Sequence, residues 1–277
     1  MTIETRVDPE TGEWRLIAPA RAARPDDSRA SGASRADAVC PFCPGNEHMT
    51  PPERMRVPAG ELGWRIRVVP NKYAVVSRVD ESFRPADRWD GRLALVESFP
   101  ATGDHEVVIE SPRHDWDLRH AGPDQAAEIL FAVRERCRAL SAGRPAVAAF
   151  RNYGKAAGAS LSHPHSQIVA LDHVPPPLAA RWQRTREHHA ATGRRLIDDL
   201  AASERTSGGR VVVDVDDLLV FQPYAAAVPH HTLLVPGDGG ASFADASDDA
   251  VGVVARVLPR LLTALAEVLD DPAYNLV

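Results

Sequence analysis

His163-Pro-His165, followed by Ser166 and Gln167, carries the residue types best suited to chemistry in this chain. Residues i and i+2 of a strand face the same side, so the two imidazoles would point into one site. A neutral imidazole near pH 7 can be a metal ligand, a base or a nucleophile. As a nucleophile, His165 would need a phosphorus electrophile and donors for the phosphoryl oxygens. The surroundings match that need. Gly158 allows close backbone approach, Ser160 brings a hydroxyl, Gln167 an amide, and Asn152 a further polar group nearby. Arg21 and Arg24 would bind phosphates if the segment that carries them drapes over the site.

Cys40-Pro-Phe-Cys43 has the spacing of a zinc knuckle. Two thiolates need two more ligands to close a tetrahedral site. With no second C-x-x-C, these must be histidines or carboxylates, and the candidates are His48, His105, His114, His120 and His163. His114 and His163 would converge if the strands that precede and carry them are neighbours. As surface residues, we read His105, His120, His173, His188 and His189 as solvated. Cys137 falls on an apolar helical face with Ile129, Leu130, Val133 and Leu140 and reads as core. Three cysteines do not make a disulfide scaffold.

These residues must be positioned by the elements around them. Strands are expected over 65–69, 73–77, 105–110, 146–151 and 167–171. A helix is expected from Pro123 to Leu140, with a start signal at Pro123-Asp124 and Gly143 beyond its end. A polar helical connector runs from Pro177 to about Glu204. The pattern then restarts, with strands over 210–215, 218–222 and 231–235. A helix capped by Ser247 follows, which Pro259 is expected to kink or divide. This element-level repeat predicts an α+β fold of antiparallel sheet with packed helices, in two units. The first spans 1–176, a connector 177–209, and the second 210–277. The second lacks the closing strands of the first and reads as truncated.

The 277 residues are 44% hydrophobic and 25% charged, enough for a sizeable core. A net charge of -6 argues against a general nucleic-acid binder. No apolar run would span a bilayer and the start has no signal-peptide pattern, so a cytoplasmic protein without membrane attachment is expected.

The chain resembles the galactose-1-phosphate uridylyltransferase family, a branch of the histidine-triad superfamily. The resemblance is carried by Arg6-Val-Asp-Pro-Glu-Thr-Gly-Glu-Trp14, the stretch from Ile17 to Pro25, Cys40-Pro-Phe-Cys43 and Val69-Pro-Asn71-Lys-Tyr73. It continues through His105 to His114, Asn152 to Gln167, Phe221 to Pro229 and Leu233-Leu-Val-Pro236. It implies two histidine-triad-like units and ping-pong transfer of UMP between a UDP-hexose and a hexose 1-phosphate. His165 would be the nucleophile, and Gln167 and Ser160 would hold the phosphoryl oxygens. Cys40, Cys43, His114 and His163 would bind a structural zinc. Arg21, Arg24, Asn71, Asn152 and Gly158 match positions around the nucleotide. The resemblance also implies a homodimer whose partner chain completes the site.

Three departures stand out. Ser166 replaces the family's usual glycine, as in the ADP-glucose phosphorylase branch, which makes an ADP-sugar phosphorylase or adenylyltransferase the alternative. Pro229-His230-His231-Thr232 stands where an aromatic-acidic pair is common. The sequence also ends before the family's distal histidine-rich segment, which leaves a zinc-stabilised nucleotide-binding protein without turnover as a third expectation.

Overall fold

The computed structural model describes residues 3–25, 39–58, 63–78, 97–238 and 240–277. The strands are β1 (Glu4–Val7), β2 (Trp14–Ile17), β3 (Met55–Pro58), β4 (Trp64–Pro70), β5 (Glu97–Pro100) and β6 (Gly103–Ile109). They continue with β7 (Ala146–Tyr153), β8 (His165–Leu171), β9 (Val211–Val215), β10 (Leu218–Phe221), β11 (Leu233–Pro236) and β12 (Tyr274–Leu276). The helices are α1 (Pro123–Ser141), α2 (Pro176–Thr192), α3 (Leu196–Ser207) and α4 (Asp248–Leu269). The fold is α+β.

The central sheet has six antiparallel strands in the order β12-β7-β8-β6-β4-β3. One face of it packs against α1 and α4. Ile66, Val68, Val108, Ile168 and Ala170 from the sheet meet Ile129, Val133, Cys137 and Leu140 of α1 and Leu258 and Leu262 of α4. Cys137 is therefore core, as its helical phase predicts. On the other face Val69, Val107 and Ile109 pack with Trp64 and Phe42. Alternation along β6 and β8 divides the two faces: Val108 and Ile168 enter the helix layer, while Val107 and Gln167 face the other way.

Two smaller antiparallel sheets flank it, β2-β1-β5 and β11-β10-β9. The second sheet buries Leu218 and Val220 against Val253 and Leu261 of α4. So α4 bridges both halves of the chain, and β12 pairs with β7 at the edge of the central sheet.

Two local expectations differ from the structure. The 73–77 segment is not a strand. The Asn71 Oδ1 accepts from the Tyr73 N–H at 2.8 Å, a local turn that competes with extended pairing, and only Ser77 bridges, to Thr102. Pro259 does not divide the last helix, which runs unbroken over its 22 residues. Its ring is buried beside Leu258, Leu261 and Leu262, so apolar packing offsets the missing hydrogen bond. The Ser247 hydroxyl caps this helix, accepting from the Ala250 N–H at 3.1 Å. The sequence from Ser31 to Ala38, rich in small residues, reads as flexible and lies outside the described residues.

Candidate active site and metal centre

A turn at 41–45 brings Cys40 and Cys43 to the β6–β8 end of the central sheet. Pairing of β6 with β8 sets Ile109 opposite His165, so the loops after β6 and before β8 lie side by side. His114 and His163 sit in those two loops. The ligand atoms of Cys40, Cys43, His114 and His163 all lie within 4.8 Å of one another. Cys43 Sγ is 3.5 Å from His114 Nδ1 and 3.6 Å from His163 Nδ1, and Cys40 Sγ is 3.7 Å from His163 Nδ1.

Each ring presents Nδ1 to the cluster and is held from behind. The His163 Nε2–H donates to the Ser111 carbonyl at 2.8 Å, and His114 Nε2 lies 3.1 Å from the Ser162 hydroxyl. Outer partners of this kind fix tautomer and ring orientation in metal sites. Burial holds the His163 pKa down to about 4, so the ring is neutral and able to bind a metal. Burial likewise pushes the Cys40 thiol up to about 12. Two sulfurs and two imidazole nitrogens at this spacing fit zinc, whose charge would stabilise the thiolates. His48, His105 and His120, the other candidates, are not in the cluster.

His165 opens β8 and turns the opposite way from Ser166. Its Nδ1–H donates to the His163 carbonyl at 2.8 Å, which places the ring lone pair on Nε2. Phe42 meets the His165 ring edge-on at 5.4 Å between centroids. One backbone carbonyl therefore ties the candidate nucleophile to a residue of the metal cluster.

His165 and Gln167 line a cleft that is open to solvent. Gly158 and Ser160 form one wall, from the loop between β7 and β8. Gly158 adopts φ +89°, a left-handed conformation that favours glycine and closes the turn after Lys155–Ala157. Arg21, Arg24, Asn71, Lys72 and Tyr73 form another. The Arg21 guanidinium donates to the Tyr73 carbonyl, which fixes the N-terminal segment over the cleft. Three cations and no carboxylate line the cleft among the described residues, although the chain is acidic overall. Val39, Phe42, Met49, Val69 and Val107 add apolar lining. Cations together with apolar side chains suit a phosphorylated ligand with an aromatic base.

Two predicted residues stand apart from the cleft wall. Asn152 is not part of it; its side-chain oxygen accepts from Asn275 Nδ2 at 2.9 Å, joining β7 to β12. Ser166 lies on the opposite face of β8, where its hydroxyl donates to Glu110 at 2.5 Å. Glu110 also takes the guanidinium of buried Arg151. The serine that departs from the family's usual glycine therefore acts behind the strand and does not touch the cleft.

His105 corrects the surface assignment. It is only 5% exposed and sits beside Gln167. Its Nδ1 accepts the Val75 N–H at 3.1 Å. The signal for it was available: His105 has the same alternation phase on β6 as Val107 and Ile109, which face the cleft side.

The description of the family model that matches residues 1–175 is galactose-1-phosphate uridyl transferase, N-terminal domain. The chain is 32% identical over 277 residues to an ADP-glucose phosphorylase of Arabidopsis thaliana, covering 98% of this chain and 76% of that protein. It is 27% identical over 266 residues to a galactose-1-phosphate uridylyltransferase of Haemophilus influenzae, covering 93% and 72%. A solved uridylyltransferase structure superposes with a TM-score of 0.76 at 32% identity, covering 98% of this chain and 78% of the other. With its family match over more than half its length and these relatives along nearly all of it, the chain is an enzyme of the nucleotidyltransferase type and belongs to the galactose-1-phosphate uridyl transferase family.

Proposed function

We propose that the protein transfers UMP between a UDP-hexose and a hexose 1-phosphate through a nucleotidyl-histidine on His165. The observation that carries this is the His165 ring itself, with Nδ1 committed to the His163 carbonyl, in a cleft lined by Gln167, Ser160 and three cations. In the first half-reaction, the His165 Nε2 lone pair forms a P–N bond at the α-phosphorus. The bond from that phosphorus to the bridging oxygen breaks, and its electron pair leaves with the sugar 1-phosphate. The Nδ1–H stays on the ring, and the His163 carbonyl stabilises the positive charge that develops there. In the second half, an oxygen of the acceptor phosphate forms the new P–O bond and the P–N electrons return to Nε2. Splitting one displacement into two is covalent catalysis with ping-pong kinetics.

The Gln167 amide and Ser160 hydroxyl are assigned to the phosphoryl oxygens. Arg21 and Arg24 are assigned to the phosphate charge and Asn71 and Gly158 to the nucleotide; Asn152, whose amide lies beside Gly158, is assigned to the nucleotide from the family resemblance. Cys40, Cys43, His114 and His163 would hold a zinc that locks the two loops beside β8. Reduced cysteines at such a site are compatible with a cytoplasmic location. A homodimer is carried over from the family resemblance. The two-unit division at 176 and 210 rests on the repeat of elements in the sequence.

One observation favours a second substrate pair. Identity of 32% along 98% of the chain to an ADP-glucose phosphorylase supports an ADP-sugar as donor and inorganic phosphate as acceptor at the same histidine. Parallel assays of UDP-glucose with galactose 1-phosphate and of ADP-glucose with phosphate separate the two. Faster turnover of the UDP pair is the expected result. Turnover of the ADP pair alone would establish the phosphorylase instead.

A further inference from the structure

The mechanism above uses Gln167 but not the buried imidazole beside it. His105 makes contacts with both of its nitrogens. Its Nδ1 lies 3.1 Å from the Val75 N–H, a backbone donor that cannot be reversed. A neutral ring that accepts at Nδ1 carries its proton on Nε2. The Gln167 Oε1 is 3.1 Å from that Nε2. Asn71 Nδ2 is equally close to it, but Asn71 Oδ1 already accepts from the Tyr73 N–H and an amide NH₂ cannot accept, so the His105 proton goes to Gln167 Oε1.

The order of donation therefore runs from Val75 N–H to His105 Nδ1, and from His105 Nε2–H to Gln167 Oε1. A glutamine whose oxygen is held this way turns its NH₂ group away from His105. Gln167 lines the cleft together with His165, two residues earlier on the same face of β8. We infer that His105 is a positioning residue. It fixes the side-chain amide of Gln167 so that the NH₂ group, and not the carbonyl, meets the phosphoryl oxygens as His165 is nucleotidylated.

The turn at 71–75 acquires a role by the same geometry. It is the element that delivers the Val75 N–H, and Arg21 fastens the N-terminal segment to it at Tyr73. The orientation of a group on β8 is thus set from outside the sheet, through one ring on β6.

This inference rests on the functional reading above. The test is single-turnover labelling of the intact zinc-loaded protein with a nucleotide sugar carrying label in its α-phosphate. His105→Asn keeps an amide near the position of Nδ1 but cannot donate to Gln167. His105→Gln reaches the position of Nε2 and can. Loss of one preorganised donor to a developing oxyanion slows the chemical step by ~100-fold, so the labelling rate of His105→Asn at saturating donor is expected to fall by that order, with donor affinity changed by less than about 3-fold. The His105→Gln protein recovers most of the rate. In a Gln167→Ala background, His105→Asn adds little further loss, because the two residues act as one unit.

A wild-type rate in His105→Asn would overturn the positioning role. So would a full additional loss on top of Gln167→Ala, or a His105→Gln protein no faster than His105→Asn. If the wild-type protein takes no label from UDP- or ADP-sugars, the functional reading itself fails, and the role of Gln167 in that step fails with it.

Discussion

The two histidines of His163-Pro-His165 are chemically alike and do different work because of which nitrogen each has committed. His163 offers Nδ1 to the cysteine cluster and uses Nε2 against the Ser111 carbonyl. His165 uses Nδ1 against the His163 carbonyl and keeps the lone pair on Nε2. The candidate metal centre would depend equally on groups behind the ligands. Ser162→Ala, which removes the hydroxyl behind His114, is expected to weaken zinc binding by ~10–100-fold in a competition titration with a chromogenic chelator. Cys43→Ser should abolish stoichiometric zinc. Unchanged affinity in both would remove the metal centre from the account. The C-x-x-C spacing made the two thiols legible as ligands in the sequence, and the family resemblance pointed to His114 and His163 among the five candidate histidines. They did not assign His105 a role: its alternation phase on β6 places it on the cleft side, but what it does there depends on the turn that meets it.

At the scale of elements, the site is a product of strand register. Pairing of β6 with β8 sets Val107 opposite Gln167 and Ile109 opposite His165, with His105 diagonal to Gln167 on the same face. Gly103 begins this pairing at φ +154°, and a Cβ there would stand 2.0 Å from the Ala170 carbonyl oxygen. Gly103→Ala is therefore expected to destabilise the fold by about 3 kcal/mol or more, read as a lower urea midpoint, with loss of activity from the disturbed register. A midpoint equal to that of the wild type would show that this approach does not constrain the pair. The strands and α1 were readable from apolar alternation and helical phase. The 73–77 segment was not, because Asn71 draws the backbone into a turn that its β-branched neighbours do not signal. The helix continues through Pro259 for the complementary reason. Propensity at one position yields to the burial of Leu258, Leu261 and Leu262 along the same face of α4.

Across the whole molecule, the halves suggested by the repeat are joined by α4 and β12. The α4 helix packs on α1 and on the β9–β11 sheet, and β12 extends the central sheet beside β7. The sequence repeat could count the elements but not pair them, since strand order depends on contacts between distant residues. An acidic chain also concentrates cations at one cleft, which favours entry of an anionic donor. Burying His105 has a consequence for stability. Burial holds its pKa to about 4, Gln167 opposes the shift and Arg21 adds to it. The folded value is below that of the unfolded chain, so the unfolded state takes up the proton first as pH falls. The stability tied to neutral His105 is fully present above about pH 6.5 and is lost progressively towards pH 4. Between about pH 7 and pH 5 the loss is about 2 kcal/mol. Urea unfolding of the wild-type and His105→Gln proteins at these two pH values should show a smaller fall in the variant. Equal falls would contradict the assignment.

The central claim is a covalent bond from His165 to the nucleotide. Incubating the protein with a nucleotide sugar, without acceptor, and mapping the acid-labile, base-stable adduct by peptide mass spectrometry tests it most directly. The account predicts one nucleotide monophosphate on the peptide that contains His165, absent in His165→Ala and discharged when acceptor is added. An adduct on another residue, or turnover that survives His165→Ala undiminished, would contradict it.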